Sequence, residues 1–421
     1  MSSYNNSYIL RHAQELKDKV VHDMHRADDI FRVGIEIEAC LLDNMGGPVN
    51  ANPFITELNK TKHIIDHEYG SCQFEYKTHP TEMFRLCDLN TEIEEFMCDL
   101  DKAINDVTRN NNNEAIPVFL GANPSPDIFE KNLVTNKPRY KKLAKWQKSI
   151  PDVEIDGQKF ESFKVATAIQ GFHIHLQGRN PEFTAKMYNH ILNIIPSMIL
   201  LGANSRLLGG KLFSIYEPRL HLYDQSEQQN SGFPSVTKYP EEVNDYIDYV
   251  ISRKSNIVAK NYFELEKERH DDVRIRLNSN NYRVETRILS VQPTPNAMMA
   301  FIEFIIGYVH QSILEEKNLR PLSSLREERI AVVRSGYNAK THFNMLESAK
   351  NNLNYAIKGL SDLGIKPGFI QILEKRLENK TSPSEYIATM WDKIFNGNRE
   401  QTVAEITRKI WDKTKKNEIL V

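Results

Sequence analysis

The 421-residue chain has only four cysteines, and their arrangement excludes a cysteine-ligated zinc protein and a disulfide-rich protein. Cys40, Cys72, Cys87 and Cys98 show neither the paired spacing of a zinc site nor the density of a disulfide scaffold. Cys40 and Cys72 fall within candidate strands, so we expect them to be buried thiols. This usage favours a reducing compartment and predicts a cytoplasmic protein.

A strong charge of one sign and a long apolar run are also missing. The formal net charge is −2, which predicts no attractive field for nucleic acid. The apolar stretch IIPSMILLGA (194–203) is far shorter than a membrane span, and residues 2–29 have the pattern of an amphipathic helix rather than a signal peptide. We therefore expect neither nucleic acid nor membrane as a partner.

The familiar glycine motifs for phosphate binding and acyl transfer do not occur. The sequence contains no Walker-type loop, no GxGxxG and no GxSxG elbow, and the glycines of GANPS and LGGK have other spacings. Any phosphate chemistry must therefore depend on other groups.

What the chain does contain is a set of strands with one polar and one apolar face. Residues i and i+2 of a strand point the same way. The rule pairs Glu36 with Glu38, His173 with His175, Glu285 with Arg287, and Gln73 with Glu75 and Lys77. The four segments are GIEIEACLL (34–42), CQFEYKT (72–78), GFHIHLQ (171–177) and YRVETRI (282–288).

Carboxylates and imidazoles on a half-buried sheet are costly unless they are paired or bind a ligand. The oxygen-rich set predicts a Mg²⁺ or Mn²⁺ site beside a phosphate site. Three other interpretations stay open at this point: an ordinary exposed strand for Glu36 and Glu38, a zinc site for His173 and His175, and a surface charge ladder for Glu285 and Arg287. Arg274, Arg276 and Arg283 lie near enough in sequence to belong to such a ladder.

The periodicity predicts an α+β protein with an antiparallel sheet. We expect helices at 8–29, 81–110, 181–194 and 241–268, an irregular loop region at 211–240, and a hairpin at 272–290 turning at NSNN (278–281). From about residue 295 onward the chain is predicted to be nearly all helical. A glycine within a strand, Gly171, suggests the close approach of a ligand or of another backbone segment.

The segments GIEIE, QFEYKTHP, ANP, GFHIH, LGANS and VETR…QP occur in the order found in one known family. In this respect the chain resembles the glutamate–cysteine ligase family, most closely its second type, the carboxylate–amine ligases. The resemblance implies a curved antiparallel sheet of glutamine synthetase type, with flanking helices and a helical C-terminal region. It implies an N-terminal helix at 1–30, a catalytic domain at 31–360 and a helical extension at 361–421.

The resemblance also assigns roles to individual residues. It implies ATP as cofactor and amino acids as small-molecule substrates, and it is compatible with a homo-oligomer. Arg287 matches the arginine that stabilises the transferring phosphoryl group, and Arg219 resembles a substrate-binding arginine. The implied ligands of Mg²⁺ (or Mn²⁺) are, for one ion, Glu36, His173 and Glu285, and for the other, Glu38, Glu75 and, by spacing only, Glu68.

The resulting expectation is an ATP-dependent ligase that forms a C–N bond through an acyl phosphate, with γ-glutamylcysteine formation as the leading case. A ligase for another acid and amine, a metal-dependent hydrolase and a guanidino kinase are the alternatives. Three departures from the family pattern, at Arg206, Ser290 and the SGFP loop at 231–234, predict an altered substrate side. Neither a general base nor adenine contacts can be assigned from the sequence.

Overall fold

The structure is a computed structural model that describes residues 2–23, 31–111, 114–227, 230–277 and 281–420. Within these residues it combines helices with one main sheet whose strand pairs are all antiparallel. The prediction of a mixed helix and strand protein with an antiparallel sheet is therefore confirmed.

The main sheet contains eight of the described strands, and β1 is central to it. Its path runs β13-β14-β8-β1-β3-β2, and β4 and β5 also pair with β1. The strands are β1 (Arg32–Leu42), β2 (Ile64–His67), β3 (Gln73–Lys77), β4 (Thr81–Glu82), β5 (Ile116–Val118), β6 (Val153–Ile155), β7 (Gln158–Phe160), β8 (Gly171–Gln177), β9 (Leu207–Leu208), β10 (Lys211–Leu212), β11 (Ser231–Gly232), β12 (His270–Asp271), β13 (Val273–Leu277) and β14 (Tyr282–Ser290).

The helices occupy the N-terminal end, the connections between strands, and most of the chain after β14. They are α1 (Ser2–Asp23), α2 (Asn52–Leu58), α3 (Leu86–Asn111), α4 (Pro138–Gln147), α5 (Ser162–Val165), α6 (Pro181–Gly202), α7 (Pro218–Glu227), α8 (Val243–Ile251), α9 (Tyr262–Lys267), α10 (Pro295–Leu314), α11 (Leu322–Ser335), α12 (Met345–Asp362), α13 (Gln371–Glu378), α14 (Pro383–Ile394) and α15 (Arg399–Lys415).

One face of the sheet is apolar and packs into the main core, as the alternation predicted. Ile35 and Ile37 of β1 are buried there, and Phe172 and Ile174 of β8 lie on the same side. On β3 the ring of Tyr76 stacks on Phe96 of α3 with 3.9 Å between centroids. The opposite face is left for the polar side chains.

Several element predictions differ from the structure. The helix expected at 181–194 continues through Pro196 to Gly202 as α6. The expected loop at 211–240 contains α7, and the expected helix at 241–268 is two helices, α8 and α9. Strand β2 was not predicted, although it extends the sheet beyond β3. Residues 24–29 of the predicted first helix and 278–280 of the hairpin turn lie outside the described residues.

Helix α10 is long and apolar enough to span a membrane, contrary to the expectation that no apolar run of the chain reaches that length. The most apolar 18-residue stretch of this helix is 83% buried inside the protein, where α10 packs against α6 and α12. A helix that is apolar all round and covered by other helices is typical of a protein core.

Candidate active site

Strand register places the polar side chains on neighbouring positions of the sheet. Glu36 of β1 lies opposite His173 of β8, and Glu38 lies opposite Glu75 of β3. Glu285 of β14 lies opposite His175. Residues from four strands that are distant in sequence therefore share one surface.

This surface forms the floor of a cavity of about 460 Å³. All eight residues implied by the resemblance belong to the same region. Seven of them line the cavity directly: Glu36, Glu38, Glu68, Glu75, His173, Arg219 and Arg287. The eighth, Glu285, is buried beneath Arg287 and forms an ion pair with it.

One flank of the cavity concentrates negative charge. Carboxylate oxygens of Glu38, Glu68 and Glu75 lie within 4.8 Å of one another. Burial and then the neighbouring Glu38 raise the pKa of Glu68 to about 7. Burial followed by Glu68 raises the pKa of Glu75 well above its ordinary value, although Lys77 Nζ lies 2.7 Å from it. We refer to these three glutamates as the carboxylate flank.

The histidines lie between this flank and β14, and both contact Glu36. His173 Nδ1 is 3.0 Å from Glu36 Oε2, and His175 Nε2 is 3.5 Å from Glu36 Oε1. Burial raises the pKa of Glu36, but His175 and His173 outweigh it and hold that pKa well below its ordinary value.

The donor atoms around Glu36 fall into two groups that differ from the implied set of Glu36, His173 and Glu285. One group is Glu36, Glu75 and His173, and the other is Glu36, His175 and Glu285. Glu36 thus lies with His173 in one group and with Glu285 in the other, and His175, for which the sequence offered no assured ligand role, joins the second group.

The other flank of the cavity is a buried ion-pair network around Glu285. Arg274 donates to both carboxylate oxygens, with Nε 2.8 Å from Oε2 and Nη2 3.0 Å from Oε1. Arg287 Nη1 donates to Oε1 at 2.5 Å. Burial opposes the charge of Glu285, yet Arg274 and Arg287 hold its pKa well below the ordinary value. We refer to Glu285, Arg274 and Arg287 as the arginine flank.

The surface-ladder interpretation is wrong for Arg274, which is buried and only 7% exposed. A surface ladder and a buried ion-pair network share the same alternation in sequence, so the pattern alone could not separate them. Arg276 belongs to the network too, since its Nε lies 3.6 Å from Glu285 Oε2. Its Nη1 also pairs with the buried Glu266 of α9 at 2.9 Å.

A bulge in β14 positions Arg287. The register with β8 shifts by one residue between Thr286 and Leu289. Buried Arg219, on α7, donates to the carbonyl oxygens of Arg287 and Ile288, each at 3.2 Å. A bulge leaves backbone groups without strand partners and redirects a side chain, so Arg219 stabilises the local geometry that carries Arg287.

Gly171 lies directly below these groups. A Cβ atom there would lie 2.7 Å from both Arg219 Nη2 and His173 Nε2. The close approach at Gly171 is therefore made by side chains of the same chain and not by another backbone segment.

The predicted substrate-side departures lie elsewhere. Arg206 donates to both oxygens of Glu385 at 3.1 Å and to the carbonyl oxygen of Phe213, and it is not among the described residues that line the cavity. It therefore supports the packing of α14 instead of contacting a ligand in the cavity.

Sequence reasoning missed a third group of cavity residues, Tyr223, Glu227 and His270. Glu227 lies at the end of α7, in the segment expected to be loop, and His270 forms part of the two-residue strand β12. The two residues are 43 positions apart, so no local motif could have joined them.

The carboxylate flank fits a divalent cation. Its three glutamates offer only oxygen donors, as hard cations prefer, and they repel one another as they stand. A cation bound among them would remove this repulsion, which is the physical reason to expect one.

The model of glutamate–cysteine ligase family 2 (GCS2) matches residues 32–346. The chain belongs to this family. The match includes every residue of the two flanks, and it ends within α12. The resemblance that was drawn from short motifs is therefore confirmed.

Solved structures show the same fold at low sequence identity. A bifunctional glutathione synthetase from Pasteurella multocida is similar with a TM-score of 0.60 and 14% identity, over 96% of this chain and 55% of that one. This chain thus spans about half the length of that protein. A glutamate–cysteine ligase from Francisella tularensis, solved in complex with AMP, has a TM-score of 0.56 and 12% identity, over 93% of this chain and 90% of that one. No curated protein sequence matches the chain.

Proposed function

We propose that the protein is an ATP-dependent carboxylate–amine ligase that acts through an acyl phosphate. One observation carries the proposal: the carboxylate flank and the arginine flank face the same cavity, in a chain that belongs to a ligase family. Phosphoryl transfer needs both divalent cations to neutralise phosphate oxygens and an arginine to stabilise the developing charge. A metal-dependent hydrolase would have no use for a buried arginine held at the cavity wall.

In this proposal Glu38, Glu68 and Glu75 hold one Mg²⁺ or Mn²⁺, and Glu36 with His173, His175 or Glu285 holds a second. When bound, the ions would supply charge neutralisation and Lewis-acid polarisation of the ATP phosphates. Arg287 donates to the transferring phosphoryl group, and Glu285 with Arg219 keeps its guanidinium in place. No residue of the chain needs to act as a covalent nucleophile.

For the substrates we propose glutamate as the acid, and cysteine as the leading amine. The evidence for glutamate is the family together with the cationic side of the cavity. The thiol of cysteine takes no part in forming an amide, so only the shape of the pocket would select it, and one small group is worth about 1–3 kcal/mol of discrimination.

The test is a screen of acid and amine pairs for ADP release, with the product mass measured. We expect ADP to accumulate only when both substrates are present, with γ-glutamylcysteine from glutamate and cysteine. Holding glutamate fixed, 2-aminobutyrate near the cysteine rate would show selection by shape. ATP turnover on a different acid, with no γ-glutamyl product from any amine, would refute glutamate and leave the general ligase.

A further inference from the structure

A dyad of His270 and Glu227 lies at the cavity wall, and neither residue belongs to the carboxylate flank or the arginine flank. His270 Nδ1 is 3.1 Å from Glu227 Oε2. The His270 side chain is 10% exposed and that of Glu227 is 1% exposed. Both residues line the cavity that contains Arg287. The metal and phosphate roles proposed above use neither of them.

Hydrogen bonds to Glu227 fix which nitrogen of His270 carries the proton. Gln147 Nε2 donates to Glu227 Oε1 at 2.5 Å. If the Gln147 amide were turned around, its oxygen would face a carboxylate oxygen of Glu227, and two acceptors would repel each other. Glu227 therefore sets the orientation of the Gln147 amide. With Glu227 acting only as an acceptor, His270 Nδ1 must donate, which leaves Nε2 with a lone pair.

The surroundings of His270 favour the neutral ring. Burial lowers its pKa, Arg287 and Arg274 lower it further, and Glu227 opposes them without reversing the direction. The Tyr223 ring packs beside it with 5.6 Å between centroids. Burial raises the pKa of Tyr223, so that phenol stays protonated and cannot compete as a base.

The proposed reaction needs such a group. An amino-acid amine is an ammonium ion at neutral pH and has no lone pair for attack on an acyl phosphate. His173 and His175 are engaged with Glu36, which belongs to the proposed metal site. His67 also lines the cavity, but among the described residues no carboxylate lies within hydrogen-bond distance of its ring to orient it. His270 is the described cavity histidine that is paired with a carboxylate outside the proposed metal site.

We propose that His270, oriented by Glu227, is the general base that deprotonates the incoming amine; this inference rests on the ligase function proposed above. The ammonium gives one proton to His270 Nε2, and the imidazolium is stabilised by Glu227. The free amine then forms the C–N bond while the acyl C–O bond to phosphate breaks, with its electron pair leaving on the phosphate oxygen. The second proton of the nitrogen goes to the departing phosphate, and His270 returns its proton to solvent.

The test compares two nucleophiles that differ in their need for a base. Hydroxylamine is already unprotonated at neutral pH, whereas the amino-acid amine is not. His270→Asn keeps a nitrogen near the position of Nδ1 to donate to Glu227, and it removes Nε2. We expect amide formation to fall at least about a hundredfold while hydroxamate formation with the same acid and ATP changes less than about threefold, as expected for a lost general base.

Glu227→Gln provides a second variant in which the base remains but its orientation is weakened. We expect a smaller loss of amide formation than in His270→Asn, a changed pH profile, and unchanged hydroxamate formation. The matched control is His221→Asn, because His221 lies on α7 and contacts the Glu154 carbonyl oxygen at 3.2 Å, outside the cavity. Both reactions should be unchanged in it.

The outcomes separate this inference from the ligase proposal. Equal losses of amide and hydroxamate in His270→Asn, or no loss of either, would overturn the base assignment while the ligase function stands. A wild type that releases no ADP with any acid and either nucleophile would refute the ligase proposal, and the base assignment with it. If His270→Asn does not fold, the same comparison is made in Glu227→Gln. Loss of amide formation with unchanged hydroxamate formation would then support the base assignment, and equal effects on both reactions would overturn it.

Discussion

The two flanks of the cavity contain the same kind of carboxylate in opposite electrostatic states. On the carboxylate flank, burial and mutual repulsion raise the pKa of Glu68 and Glu75. On the arginine flank, Arg274 and Arg287 hold the pKa of Glu285 well below its ordinary value. The difference teaches that the carboxylate flank, despite Lys77 beside Glu75, fits the further cation that our proposal places there. The arginine flank already has its cations and presents one of them, Arg287, to the cavity.

The largest expected effect is the loss of all nucleotide turnover when divalent metal is removed. An uncompensated carboxylate flank would repel the phosphates of ATP, so the site should work only with the cation present. The measurement is ADP release in excess chelator, followed by addition of Mg²⁺ or Mn²⁺. Turnover that survives chelation would mean that the carboxylate flank has no metal role.

The next largest effect concerns the stability of the arginine flank. Glu285→Gln leaves two buried guanidinium groups without their anion, and removing one partner of a buried ion pair costs about 3 kcal/mol or more. We expect a matching fall in the free energy of unfolding. The control is Glu385→Gln, whose half-exposed pair with Arg206 should be worth less than about 1 kcal/mol. Similar small changes in both variants would show that the Glu285 network is not a stabilising unit.

A third prediction tests Arg287 as a phosphoryl ligand. Arg287→Lys keeps the charge but loses the planar fork that contacts Glu285 and the cavity together. We expect turnover to fall at least about a hundredfold, comparable with losing one transition-state donor. Arg206→Lys is the matched control and should be mild, because Arg206 does not line the cavity. Equal effects at both positions would contradict a special role for Arg287.

The smallest expected effect is a pH dependence of the stability of the metal-free protein, which arises from Glu68 on the carboxylate flank. Because the pKa of Glu68 is raised to about 7 from an ordinary 4.5, the metal-free folded protein binds more protons than the unfolded chain between these values. Its stability should therefore fall as pH rises from 5 to 7.5, since charging Glu68 becomes costly. Glu68→Gln should flatten this slope in thermal unfolding at a series of pH values. An unchanged slope would assign the repulsion to other groups.

Part of this site could be predicted from sequence, and the reason is the period of a strand. The i, i+2 rule placed Glu36 and Glu38 on one face and Ile35 and Ile37 on the other, and the structure agrees. Glu68, placed by spacing alone, does lie beside Glu75. Period-2 patterning is local, so it survives without knowledge of the fold.

The remainder depends on contacts between distant segments. The bulge that redirects Arg287 is a one-residue register shift against β8. No sequence pattern within β14 indicates this shift. Helix α7 begins at a proline and follows the short paired strands β9 and β10, so the sequence pattern predicts a loop for its ten residues. Because the sequence pattern does not indicate α7, it could not show that Glu227 contacts His270 or that Arg219 contacts the bulge.

Mn²⁺ binding to the metal-free protein, measured by calorimetry without nucleotide, tests the contrast between the flanks most directly. The wild type should bind Mn²⁺, Glu75→Gln should bind it at least about tenfold more weakly, and Arg287→Lys should bind it as the wild type does. Equal affinity in the wild type and Glu75→Gln, or an equal loss in Arg287→Lys, would contradict the assignment of the cation to the carboxylate flank.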